Sequence, residues 1–222
     1  MAMRALTVSL LTLVSTVSFA ADKDVEAILR TLRENYSKAK SVRMEVVSYI
    51  SQVGDDNLLT SQVSYLAPGS FRIQMKGNSM GAGNSLLMVS DGKQSYTKMP
   101  DGKITKEKFD PDEIAPPVNL EVLCFWDWKR QLSTTKGANM HESELRLLQK
   151  ETWKDKDYMV LEEKAPKSNV FVRYYIDPKT KFIVRTAVYN LENQALLLQD
   201  HKVTKFELNA KVDPSTVKLP AK

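Results

Sequence analysis

One cysteine, Cys124, stands in 222 residues, so no intramolecular disulfide can staple this chain and its stability must come from packing. Only two histidines occur, His141 and His201, and neither has a second His, Cys or carboxylate at a metal-ligand spacing. The run His141-Glu142-Ser143-Glu144 is not the two-histidine helix motif of zinc hydrolases. No P-loop is present, and Gly77, Gly81 and Gly83 have the wrong spacing for a dinucleotide loop. With 8 glycines and 9 prolines, and no repeat, the chain is neither collagen-like nor low in complexity. Its net charge of +5 comes from 32 basic and 27 acidic residues that are interleaved, which gives no basic patch for nucleic acid. What is there, 42% hydrophobic and 27% charged residues, describes a soluble globular chain.

The longest apolar run, Ala5 to Val17, is shorter than the roughly 20 residues that span a bilayer. Arg4 is the one charge in residues 1–20, and Ser18-Phe19-Ala20 ends the segment with a small-x-small pattern. Residues 1–20 therefore read as a secretory signal peptide cut after Ala20, leaving residues 21–222 as one domain. No lipid-acceptor cysteine follows the cut, so a soluble, unanchored periplasmic protein is expected. Cys124 sits among Leu123, Phe125 and Trp126 and reads as a buried structural thiol.

From Asp24 the residues Val25, Ile28, Leu29, Leu32 and Tyr36 follow the spacing of one helical face, with Arg30, Arg33, Glu34 and Lys38 opposite. Acidic residues at the start and Lys38 and Lys40 at the end suit the helix dipole. Beyond Ser41 the period becomes two, most clearly in Phe71-Arg72-Ile73-Gln74-Met75-Lys76. Strands are expected near 42–53, 58–66, 70–76, 85–90, 93–99, 103–108, 145–151, 157–164, 169–176, 182–190 and 195–208. Asp91-Gly92 and Asp101-Gly102 supply tight hairpins and Asp177-Pro178 a longer one, so the sheet should be an antiparallel meander. The fold class is mainly β.

Two segments break the alternation. Residues 77–84 carry three glycines and read as a hairpin connection or a gating loop. After Pro116-Pro117 a short helix is expected over 118–132, whose Leu120, Leu123, Phe125, Trp126 and Trp128 are not confined to one stripe. Such a helix either plugs the core or acts as a lid.

Chemistry finds no positive support. Carboxylate pairs such as Asp110 with Asp112 and Glu162 with Glu163 read as solvated charges, and both histidines as surface residues. An apolar sheet face remains, which is either filled by its own side chains or open to a ligand; Met44, Met75 and Met88 suit an adaptable surface.

The order of features resembles the LolA-type periplasmic lipoprotein-carrier superfamily, which includes the LolB-like receptors and RseB-like stress sensors. The resemblance covers nearly the whole mature chain. It runs from the first helix into Ala39-Lys40-Ser41-Val42, through Pro68-Gly69-Ser70-Phe71-Arg72 and Val89-Ser90-Asp91-Gly92-Lys93. It continues with Tyr175-Ile176-Asp177-Pro178-Lys179-Thr180 and ends at Val212-Asp213-Pro214-Ser215-Thr216-Val217-Lys218-Leu219-Pro220. It implies a single incomplete antiparallel barrel of about eleven strands under an N-terminal helix and a lid helix, sheltering acyl chains without cofactor, metal or covalent catalysis. The implied partners are lipid or lipoprotein acyl chains, an inner-membrane donor and an outer-membrane acceptor, with the protein as a monomer. The cavity set expected under the 118–132 lid is Met44, Val46, Val63, Tyr65, Phe71, Ile73, Met75, Leu87 and Val89. The lipoprotein carriers have an arginine before the strand-opening proline that holds the lid closed; here Ala67 stands there, with Arg43 and Arg72 elsewhere in strand positions where they should face outward.

Overall fold

The computed structural model describes residues 23–51, 58–67, 69–77, 80, 85–109, 144–164 and 168–220. Helix α1, Lys23–Lys38, places Asp24 and Glu26 in its first turn and Lys38 in its last, and buries Val25, Leu32 and Tyr36. Strand β1, Ser41–Ile50, leaves it almost directly. The junction is clamped from the far end of the chain: Lys40 N–H donates to Asn209 Oδ1 at 3.0 Å, and Ser41 Oγ donates to Ala210 O at 2.6 Å.

Ten more strands follow. They are β2 (Leu59–Leu66), β3 (Ser70–Gly77), β4 (Leu86–Asp91), β5 (Gln94–Lys98) and β6 (Ile104–Lys108) in the first wing. The second wing has β7 (Glu144–Trp153), β8 (Lys156–Lys164), β9 (Val170–Ile176), β10 (Ile183–Asn190) and β11 (Leu197–Leu208). The described strands form one sheet in the order β6-β5-β4-β3-β2-β1-β11-β10-β9-β8-β7, every pairing antiparallel. Because β6 and β7 lie at opposite ends of that order, the barrel is incomplete. The closure of β1 on β11 joins the two meanders, so the start and end of the domain share the centre of the sheet.

The turns follow the chemistry read from the sequence. Gly92 and Gly102 have φ of 86 and 89, a region that costs glycine little. Asp177 Oδ1 accepts from the backbone N–H of Lys179 and Thr180, which shapes the β9–β10 turn. The β7–β8 hairpin was not legible as a two-residue turn, because Lys154 and Asp155 take positive φ without a glycine or asparagine.

The two faces of the sheet are packed separately. Helix α1 lies on what we call the inner face, where one core cluster runs from Val25, Leu32 and Tyr36 through Met44, Val63, Ile73 and Met88 to Leu161, Tyr174 and Ile176. Tyr36 anchors the helix: its ring centroid lies 5.0 Å from that of Phe182, and its hydroxyl accepts from Ile183 N–H at 3.4 Å. The outer face of the second wing carries a smaller cluster of Tyr158, Val160, Tyr175 and Ala187 with Trp153 and Tyr189 against it. Among the described residues, no helix is long and apolar enough to cross a membrane.

Candidate functional site

The inner face of the first wing is built as lateral rows, because side chains at paired positions of adjacent strands point to the same side. One row runs Phe206, Met44, Val63, Ile73, Met88. A second runs Val203, Val46, Ser61, Met75, Leu86, and a third Leu208, Val42, Tyr65, Phe71, Ser90. The bulge between Glu45 and Val46 skips Thr204 and keeps Val203 and Phe206 on the inner side. Of the expected cavity set, Met44, Val46, Val63, Tyr65, Phe71, Ile73 and Met75 thus stand together on one face and are buried.

Leu87 and Val89 do not join them. Register pairs Ile73 with Met88 and Met75 with Leu86, so Leu87 and Val89 point to the outer face, and Leu86 and Met88 hold the inner positions. Alternation is silent over Leu86-Leu87-Met88-Val89, where all four residues are apolar, and a one-residue slip exchanges the faces. Val89 is nevertheless fully buried, next to Tyr96 on β5. The 3-10 helix Pro214–Val217 packs against β2, β3 and β4 and buries Val217.

The lid residues Leu120, Leu123, Phe125, Trp126 and Trp128, together with Cys124, His141, Asp110 and Asp112, lie outside the described residues. So does most of the glycine loop, 78–79 and 81–84. Ala67, at the position of the carriers' arginine, packs at the margin of the inner core and donates its N–H to Lys40 O at 2.8 Å. Arg43 faces outward as expected, with Nη1 3.8 Å from Glu207 and Nη2 donating to Lys211 O at 3.2 Å.

Two expectations about charge and polarity are corrected. Glu162 is not a solvated carboxylate: its side chain is 1% exposed, on the outer face, and accepts from Arg146 Nη2 at 2.5 Å and Arg173 Nε at 3.0 Å. Its neighbour Glu163 points the other way and accepts from the Tyr174 hydroxyl at 2.6 Å, so the two carboxylates do not form an acid and base pair. His201 is not a surface residue either. It is 2% exposed, directly opposite Ser48 on the inner face, and burial lowers its pKa to about 4. A lone polar residue inside a strand gives no sign of its side until the register around a bulge is known.

The second wing supplies inner residues that the sequence reading did not single out: Leu161, Tyr174 and Ile176, with Met159 and Val172 against them. Between α1 and this wing lies a cleft of ≈ 100 Å3, lined by Ile28, Thr31, Leu32, Met159, Ile176 and Lys181. That is room for a few waters, at roughly 30 Å3 each, and not for an acyl chain. Among the described residues, no group of three or more His, Cys, Asp or Glu is placed to hold a metal ion.

No family model and no curated protein matches the chain. Solved structures do. An uncharacterized conserved protein from Thermus thermophilus superposes with a TM-score of 0.57 at 12% identity, over 89% of this chain and 94% of that one. A chain of the Pseudomonas aeruginosa MucA/MucB complex superposes with a TM-score of 0.52 at 14% identity, over 89% of this chain and 61% of that one. This chain therefore spans about three fifths of the second structure's length. A LolA superfamily protein from Nitrosomonas europaea aligns with a TM-score of 0.39 at 12% identity, over 87% of this chain and 97% of that one. The likeness is one of fold: the described strands form an open antiparallel half-barrel, the architecture that the resemblance implied.

Proposed function

We propose that this chain is a secreted, periplasmic carrier that takes the acyl chains of a lipid or lipoprotein on the inner face of its half-barrel, without covalent chemistry. The observation that carries this reading is the continuous apolar row from Phe206 through Met44, Val63 and Ile73 to Met88, set in a sheet whose edges do not meet. An unclosed sheet with an apolar inner side gives an elongated surface, and methionines at Met44, Met75 and Met88 let it fit chains of differing shape. Burial stabilises a bound chain by about 0.8 kcal/mol per methylene, so the face needs no charged anchor to bind usefully. Donor and acceptor membranes then set the direction of transfer by competing for the same chain.

Displacement of a fluorescent acyl probe by saturated chains of increasing length tests this. Two added methylenes should tighten binding by about 1.6 kcal/mol, a factor of roughly fifteen, until the face is filled. Affinity that ignores chain length, or no binding at all, contradicts the reading.

A second reading has one observation in its favour, the fold shared with a chain of the MucA/MucB complex. In it the same fold binds a protein partner. An envelope-protein complex that survives delipidation unchanged supports this second reading over the first.

A further inference from the structure

The inner face is not uniformly apolar. Ser48 on β1 is paired directly with His201 on β11, and Ser61 on β2 is paired with Val46, one row away and diagonal to Ser48. All three lie near the middle of the sheet order, on the side that bears the apolar rows. Ser48 and Ser61 are 0% exposed. Ser48 Oγ, Ser61 Oγ and His201 Nδ1 are buried without a hydrogen-bond partner among the described residues. Three such atoms within neighbouring positions of one face are unusual, since buried polar groups are nearly always paired.

We propose that Ser48, Ser61 and His201 form a hydrogen-bonding station for the uncharged head of a bound amphiphile, one that offers both a donor and a carbonyl acceptor next to its chain. This deepens the carrier reading and rests on it. The chemistry follows from the atoms. His201 Nε2 lies 3.2 Å from Gln199 Oε1, and the tautomer that uses this contact protonates Nε2 and leaves the Nδ1 lone pair as an acceptor. The two serine hydroxyls can donate to a carbonyl while Nδ1 receives a hydroxyl or amide proton. The paired and diagonal neighbours on this face, Thr186, Val46, Val203, Leu59 and Gln199, carry no charge. Among the described residues a carboxylate or phosphate would meet no cation at these positions, and a plain hydrocarbon would leave all three atoms unserved. Burial keeps His201 neutral at neutral pH, in accord with an uncharged head group.

From Ser48 back to Val42 the inner face of β1 runs about 20 Å at the rise of an extended strand. Met44 and Val46 lie along that stretch, with Val63 and Ile73 beside Met44. A head group at the station therefore leaves its chain on the apolar rows already described.

Three ligands with the same chain separate head from tail: 1-monooleoylglycerol, methyl oleate and oleate. The wild-type chain should bind monooleoylglycerol about tenfold more tightly than methyl oleate, which lacks a donor, and more tightly than oleate. In His201→Leu the first ratio should fall toward one while methyl oleate binds as before; in Ser48→Ala/Ser61→Ala both esters should bind more weakly, because each carries the carbonyl that the serines serve. The double alanine variant should keep or raise the Tm of the free protein, because each change removes a buried hydroxyl that has no partner. Equal wild-type binding of monooleoylglycerol and methyl oleate overturns the station and leaves the carrier reading standing. Binding of none of the three overturns both. A preference for oleate, a ratio that survives in His201→Leu, methyl oleate binding untouched by the double serine change, or a lower Tm in the double variant also overturns the station.

Discussion

Replacing Arg185 by methionine should cost the fold about 3 kcal/mol, which is large for a change on the outer face of a sheet. Arg185 donates from Nε to Asp200 Oδ1 at 2.8 Å and from Nη2 to Asp200 Oδ2 at 3.1 Å, a two-point grip on one carboxylate. Its guanidinium carbon also lies 5.1 Å from the centre of the Trp153 ring and 4.6 Å from that of Tyr175. Methionine keeps much of the volume between the rings but removes the charge, stranding an Asp200 side chain that is 4% exposed. Breaking one partner from a buried pair costs about 3–5 kcal/mol. Lys202, 2.7 Å from Asp200 Oδ2, still partners the stranded carboxylate, which sets the expectation at the lower end. Urea unfolding should show a lower midpoint with an unchanged slope. Adding Asp200→Asn should recover part of the loss, since the stranded charge is then gone. A loss below about 0.5 kcal/mol, the size of an ordinary surface change, shows that the outer cluster stands without this pair.

The second large effect is a loss of stability in acid that belongs to one side chain. His201 has a folded pKa of about 4, lowered from 6.5 mainly by burial and only partly offset by Asp200. Above the unfolded pKa both states are neutral at this site, and the group contributes no pH dependence. Between about 6.5 and 4 the unfolded chain holds a proton that the folded one does not, so stability falls as pH falls. The difference integrates to about 3 kcal/mol and is complete near pH 4. Carboxylates also destabilise the fold in acid, so the measurement is the difference between wild type and His201→Gln. That difference should change by about 3 kcal/mol between about pH 7 and pH 4. A difference that stays flat places the imidazole in water, contrary to its burial.

The meander was legible because its alternation is strict where one face is wet. In Phe71-Arg72-Ile73-Gln74-Met75, Phe71, Ile73 and Met75 are all buried on one side. Helix α1 was legible because Val25, Leu32 and Tyr36 repeat at helical spacing above a polar remainder. Sidedness failed in β4, where Leu86 and Met88 serve the inner face and Val89 is buried on the other. It failed again at His201 and Glu162, whose burial depends on what neighbouring strands place beside them. Glu162 is buried by arginines on the two flanking strands, and His201 by a position on β11 that the pairing with β1 fixes. Chain order alone specifies neither environment. The site was therefore legible as a row of apolar residues in the first wing, and its polar middle was not.

The most direct test is mass spectrometry of lipids that leave the native cell envelope with the purified chain. The carrier account predicts a near-stoichiometric acylated lipid, lost when a charged side chain replaces Ile73 in the central row. Protein that emerges lipid-free from the envelope and takes up no acyl chain in vitro contradicts it.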